Sequence, residues 1–274
     1  MTFSIVARSD DGASWGVAVA SKFLAVGPTV AAARAGVGAV ATQAMPNLSY
    51  KPRGLDLMSR GRSAPQALDQ LVAGDDRYAE RQAGLVDAAG GAATYTGTDC
   101  LTWAGGVTGP GFAAQGNILA GPHVVDALAD SWTGSDEADF ARRLVSALLA
   151  ADRAGGDRRG RQSAALLVVR KGAGYGFDDV AVDLRVDDHP DPVTELGRLL
   201  DLNDFYLTAS TEDEKVAVTP ELAAELEGLA RAAGQRDLMA WVGTENYEMR
   251  VAPDGSWIDR KVLDLLRGTS GGPQ

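Results

Sequence analysis

The sequence predicts an α+β protein, antiparallel sheets packed with helices, followed by a small α/β appendage. Three observations carry that expectation. Apolar runs come in pairs joined by turn residues, as at Ser9-Asp10-Asp11-Gly12 and Asp87-Ala88-Ala89-Gly90-Gly91, and Asp-Gly or Gly-Gly between such runs signals a β-hairpin. The stretches 53–73 and 124–151 space apolar residues three and four apart, the helical period. Strands, helices and strands then follow in blocks, and no Gly-x-Gly-x-x-Gly occurs, which argues against a parallel dinucleotide-binding sheet and gives no sign of any cofactor.

Taken in order, Thr2 to Arg8 and Trp15 to Ser21 read as paired strands and Ala35 to Gln43 as a buried strand. From Arg53 to Ala73 a helix is interrupted near Gly61 and restarts at Ser63 with Pro65 in its first turn, as helix-start preferences dictate. Gln82 to Val86 and Ala92 to Thr96 form the next hairpin. Val124 to Leu128 and Phe140 to Ala151 read as helices, the second starting near Asp139 and ended by Gly155-Gly156, and Ser163 to Val169 and Val180 to Val186 as strands.

After Asp187-Asp188-His189-Pro190-Asp191-Pro192 the composition changes, so a first domain is expected over 1–195 and a second over 196–268. In the second, Val193 to Leu202 and Pro220 to Ala233 read as helices, Thr211 to Lys215 as a charged loop, and Met239 to Val242 and Tyr247 to Val251 as strands. Trp257-Ile258-Asp259 precedes a short helix, Val262 to Leu266, and Trp241 and Trp257 are expected in the core because large aromatics dominate burial in small domains. Residues 269–274 are expected to be a disordered tail.

With 274 residues and 45% hydrophobic content the chain can build a sizeable core. A net charge of -11 argues against nucleic acid or an anionic membrane as partner, since both reward a basic face. The single cysteine, Cys100, forms no internal disulfide and has no zinc-ligand spacing around it, which fits a reducing cytoplasm. Arg8, Asp10, Asp11 and Lys22 interrupt the first thirty residues, so no signal-peptide core is expected, and no stretch of the sequence approaches the ~20 uninterrupted apolar residues of a spanning helix. A homodimer is the default oligomeric expectation.

The chemistry centres on Thr2. Directly behind Met1, it becomes an N-terminal nucleophile if that methionine is trimmed, because a free α-amine titrating at about 7.7–8.0 serves as its own general base. The plainer reading is a β-branched residue that starts a strand. Ser21-Lys22 closes the strand across the hairpin, where the ammonium would lower the amine's proton affinity. Gln43, Asn47 and Asn117 follow apolar runs as amides able to donate to an oxyanion. Gly156-Asp157-Arg158-Arg159-Gly160-Arg161-Gln162-Ser163 sets charges and an amide at the lip of a strand, with an Asp157–Arg159 pair able to orient Ser163 or a substrate carboxylate. Asp187, Asp188 and His189 offer a metal-binding alternative of lower rank, and Cys100 beside Asp99 makes a poor nucleophile.

Several of these segments together resemble the DUF1028 family, whose members resemble the N-terminal nucleophile (Ntn) hydrolases: Thr2 to Ala7, Gly16 to Phe23, Gly38 to Ala44, Gln115 to Leu119, Gly156 to Ala164 and Asp187 to Pro190. The resemblance covers residues 1 to about 195. Leu199 to Arg267 is similar to a small peptidoglycan-binding-like domain. The resemblance implies a four-layer αββα sandwich with Thr2 at the cleft end of a central strand, and hydrolysis of a small amide or short peptide. In that implied mechanism Thr2 attacks, Asn117 or Gln43 holds the oxyanion, Ser21, Lys22, Asp157 and Ser163 tune the amine, and Gln43, Asn47, Arg159, Arg161 and Gln162 meet the substrate. Arg159 or Arg161 would clamp a carboxylate. Only Met1 precedes Thr2, so methionine aminopeptidase would suffice for activation. The competing expectation is a catalytically silent metabolite-binding protein on the same fold.

Overall fold

The first unit is built around β1 (Thr2–Arg8), whose residues are buried through Ala7. The computed structural model describes residues 2–269, and the chain divides into two compact units after Leu200, inside a helix and a little beyond the boundary expected between residues 195 and 196. β2 (Ser14–Ser21) completes the first hairpin, followed by α1 (Val26–Val30), β3 (Ala31–Arg34) and β4 (Gly38–Ala44). α2 (Tyr50–Ser59) and α3 (Ala64–Ala73) precede the hairpin β5 (Arg81–Asp87) and β6 (Ala92–Thr96), then β7 (Gly105–Gly109) and β8 (Phe112–Asn117). α4 (His123–Thr133) and α5 (Phe140–Arg153), β9 (Ser163–Arg170) and β10 (Val180–Val186) lead into α6 (Pro192–Leu207).

A six-stranded sheet has the order β10-β9-β2-β1-β8-β7 and a four-stranded sheet the order β3-β4-β5-β6; every pairing in both is antiparallel. The α+β expectation with antiparallel sheets therefore holds. Successive strand side chains point to opposite faces, and β1 uses both. Phe3, Ile5 and Ala7 pack with Leu128 and Trp132 of α4, Leu144 and Leu148 of α5 and Leu196 of α6. Val6 packs on the other face with Val17 and Val19 of β2, Ala39 and Ala41 of β4 and Val86 of β5. Val40 and Leu85, on the far face of the four-stranded sheet, meet Tyr50, Leu55, Leu68 and Leu71 of α2 and α3.

Local signals explain most boundaries. Ser63 accepts from Gln66 N and Gln66 reaches back to the Ser63 backbone, a capping box that starts α3. Asp139 caps α5 through Arg142 N. The sequence did not announce α1, β3, β7 or β8: α1 and β3 are very short, and Gly105-Gly106 with Gly109 gives β7 little strand propensity of its own.

The second unit contains β11 (Lys215–Ala217), α7 (Pro220–Ala232), α8 (Leu238–Glu245), β12 (Trp257–Asp259) and α9 (Arg260–Thr269), with β11 and β12 paired antiparallel. Three expectations are corrected here. Met239 to Val242 is helical, because Asp237 caps α8 through Ala240 N and left-handed Asn246 ends it; a short apolar run alone does not distinguish helix from strand. Tyr247 to Val251 is no strand, Val251 making only an isolated bridge to Ile258. Trp241 lies in the core with Leu226, Val242, Tyr247 and Ile258, whereas Trp257 is half-buried beneath the Lys215 ammonium, 4.6 Å from the ring centroid. Arg250 is buried and donates to Asp259 Oδ2 at 2.9 Å and Glu214 Oε2 at 3.0 Å. Of the expected tail, Thr269 is the last residue of α9 and 270–274 lie outside the described residues, as does Met1.

Candidate active site

One end of the layer between the two sheets is polar. Thr2 and Ser4 share the inter-sheet face of β1 with Val6, as Gln115 and Asn117 share that of β8, and the registers set Thr2 opposite Asn117 and Gln43 opposite Gln82. Period-two alternation thus gathers six amide and hydroxyl side chains where the layer opens, all buried. Ser4 Oγ donates to Gln43 Oε1 at 2.7 Å and accepts from Gln115 Nε2 at 2.7 Å. Gln82 Oε1 accepts from both Gln43 Nε2, 2.8 Å, and Asn117 Nδ2, 2.9 Å. Gln82 Nε2 donates to Thr96 Oγ1 at 2.9 Å and Gly116 O at 2.7 Å, so its amide has one orientation consistent with all its partners.

Above this floor lies a cavity of about 360 Å³ lined by Thr2, Gln43, Asn117 and Arg159 among others, at the small end of the ~300–1,000 Å³ usual for small-molecule sites. Thr2 is 7% exposed, and its Oγ1 lies 3.1 Å from Ser21 Oγ. Backbone strain collects at the same place. Ala25, Ala44 and Ile118 adopt φ of 52°, 68° and 53°, left-handed values that cost a non-glycine residue roughly 1–3 kcal/mol; Ala44 and Ile118 line the cavity, and Ala25 precedes Val26, which also lines it. A larger cavity, about 430 Å³, lies at the far end of β1, but its two arginines are already paired, Arg143 with Asp10 at 2.9 Å and Arg170 with Asp11 at 3.2 Å.

The DUF1028 family model, described as a family of unknown function, matches residues 2–196. The chain belongs to the DUF1028 family. A crystal structure of a DUF1028 protein from Silicibacter pomeroyi is similar to it, with 32% sequence identity and a TM-score of 0.68 over 74% of this chain and 89% of that one. A model of peptidoglycan-binding-like domains matches residues 222–266. No curated protein matches the chain.

The remaining residues singled out in this DUF1028 chain are held in other ways. Asp157 Oδ2 accepts from Lys22 N at 2.7 Å and its Oδ1 from Arg159 N at 2.8 Å, and Arg159 Nη2 pairs with it at 3.3 Å. Lys22 meets Asp157 through its backbone, while its ammonium donates to Arg161 O at 3.2 Å. Ser163, opposite Ser21 in the register, donates to Phe23 O at 2.5 Å and accepts from Val26 N at 3.1 Å, holding the turn that carries Phe23. Arg161 Nε donates to both oxygens of Asp152 at 2.9 Å, and Asp152 raises the guanidinium's proton affinity further. Gln162 donates to Asp188 at 3.1 Å, and Asn47 donates to Asp75 at 2.8 Å. Neither these two nor Arg161 lines the cavity, so of the two arginines Arg159 is the one at the cleft.

Among the described residues no three His, Cys, Asp or Glu side chains gather as a metal site, and His189 Nδ1 accepts from Asp191 N at 3.0 Å. Cys100 does line the cavity; burial pushes its thiol above the ordinary range, and Sγ donates to Arg81 O at 3.3 Å. No described helix is long and apolar enough to cross a membrane.

Three residues of the floor, Ser4, Gln82 and Gln115, are not evident from residue chemistry alone. The available signal was a glutamine inside an apolar strand run, which must find buried partners. Gly84 is part of the same design, since a Cβ there would fall 2.0 Å from Gln115 Oε1. Gly84→Ala is expected to cost about 1–3 kcal/mol by dislodging the buried Gln115 amide from Ser4. Chemical denaturation tests this, and an unchanged midpoint would show that Gln115 has room to move.

Proposed function

We propose that this protein is an amide hydrolase of the N-terminal nucleophile type, its first unit an αββα sandwich of that class, acting in the cytoplasm on a small amide or short peptide. The observation that carries the reading is Thr2, whose hydroxyl side chain lines the cavity beside Asn117 and Gln43 and lies 3.1 Å from Ser21 Oγ. Once Met1 is removed, the Thr2 α-amine takes the hydroxyl proton and Oγ1 attacks the amide carbonyl. Asn117, one of whose amide hydrogens is committed to Gln82, offers the other to the developing oxyanion. Donors fixed before reaction need no reorganisation as charge develops, and the buried amide ladder supplies that rigidity. The amine then returns the proton to the leaving nitrogen, and water hydrolyses the ester on Thr2.

The amine exists only on a trimmed chain, so the intact mass of protein made without an N-terminal tag tests the reading directly. Met1 is expected to be absent. Its retention in the large majority of molecules would deprive Thr2 of its base and leave a metabolite-binding protein as the better account.

A further inference from the structure

We propose that the ligand of this cleft is an N-acylated amino acid: an apolar acyl chain on the cleft wall, the amide at Thr2, and the amino acid's carboxylate on Arg159. The inference rests on reading Thr2 as the nucleophile and names the substrate class of that site. Around Thr2 the wall is formed by Phe23, Val26, Val30, Met45, Leu101 and Ile118. Val26 and Val30 are 1% and 2% exposed, whereas Phe23, Met45 and Leu101 are 51%, 53% and 67% exposed at the rim. Large apolar side chains grouped at one cavity mouth leave surface that an apolar ligand would remove from water.

Charge orients the ligand. Arg159 is the cation among the described residues lining the cavity, its side chain 45% exposed and paired with Asp157. Glu80 and Asp99 also line it; they belong to the same wall as Met45, whose N donates to Glu80 O at 3.3 Å. A ligand carboxylate is therefore attracted to Arg159 and repelled from the Glu80 and Asp99 side. The reaction decides which part of the ligand carries it. The acyl group must stay bound through the ester stage, which suits the buried valines, while the amine must leave and water must enter, which suits a half-exposed residue such as Arg159. In the full reaction the Thr2 Oγ1–C bond forms and the C–N bond breaks, the hydroxyl proton passing by way of the α-amine to the departing nitrogen. Water then supplies hydroxyl to the acyl carbon and a proton to Oγ1, giving a carboxylic acid and a free amino acid with no change in oxidation state.

The test pairs calorimetric binding to the full-length Thr2→Ala protein with amine release by the wild type, using N-acetyl-L-alanine, N-hexanoyl-L-alanine and N-hexanoyl-L-alaninamide. Affinity is expected to rise roughly three- to fourfold per added methylene, as burial of each CH₂ implies. It should fall at least about tenfold when the carboxylate becomes a neutral carboxamide, as loss of a charge-assisted pair implies. Arg159→Gln should erase the acid–carboxamide difference and keep the chain-length dependence. The comparison of the two hexanoyl ligands needs no change at Arg159, so a fold defect in that variant would not obscure the result. Equal binding of acetyl and hexanoyl ligands, or of acid and carboxamide, overturns the proposal, and turnover of unrelated amides would then leave the nucleophile reading intact. Both binding signatures without wild-type turnover would establish the ligand class and overturn the catalytic reading instead.

Discussion

In the mechanism we propose, Thr2→Ala is expected to lower turnover by roughly 10³- to 10⁶-fold, while ligand affinity persists. The side chain sits at the end of β1, where its backbone pairs with Asn117, so loss of the hydroxyl leaves the sheet register in place. Thr2→Ser keeps both the hydroxyl and the amine and should retain measurable activity. Ser21→Ala should cost much less, because it leaves the nucleophile and its amine in place while removing the 3.1 Å contact to Oγ1. The base gives a second signature. An α-amine must be neutral to accept the proton, so kcat/KM should rise with pH through about 7.7–8.0, the ordinary range for that group. A Thr2→Ala protein that turns over a substrate at the wild-type rate would end the mechanism at once.

The sequence made the site's location legible more readily than its construction. Thr2, Gln43 and Asn117 stand out as residue types able to act as nucleophile or donor, and the strand carrying Thr2 is legible from its hairpin turn, that carrying Gln43 from its apolar run. β8, which carries Asn117, has no hairpin signal in the sequence, because its partner β7 is too rich in glycine to announce one. The amide floor depends on register, with Gln82 reaching Asn117 only because β5 and β8 face each other across the inter-sheet layer, and register between sheets is not a local property of either strand. Arg161 and Gln162 read as substrate contacts from their neighbourhood, yet Asp152 and Asp188 take them; such partners lie on other elements and are invisible to a linear reading. In the second unit, Met239 to Val242 misled because four apolar residues fit either period, and the decisive marks were the polar residues at each end, Asp237 and Asn246.

Arg81→Met is expected to be the most destabilising single change near the cleft. Arg81 and Asp75 are 9% and 6% exposed and joined at 2.9 Å, with a second contact from Nη2 to Oδ1 at 3.3 Å. Arg81 Nη1 also donates to Met45 O at 2.7 Å, so the pair anchors a wall of the cavity. Removing one partner leaves a buried carboxylate uncompensated, which costs about 3–5 kcal/mol; for a unit of this size that lowers Tm by roughly 6–20 °C. Adding Asp75→Asn to Arg81→Met should recover part of the loss, since removing both charges is far cheaper than stranding one. The pH dependence separates charge from packing. Hydrogen bonding from Arg81 holds the Asp75 carboxyl well below the usual carboxylate range, so the stability it contributes is complete above the unfolded value near 3.9 and is lost as pH falls from there through the depressed folded value. The Tm gap between wild type and Arg81→Met should therefore be widest near neutrality and narrow between about pH 4 and pH 2. A gap that stays constant down to pH 2 would assign the loss to the Arg81 side chain's packing and its bond to Met45, and would remove the charged pair from the account of how that wall is held.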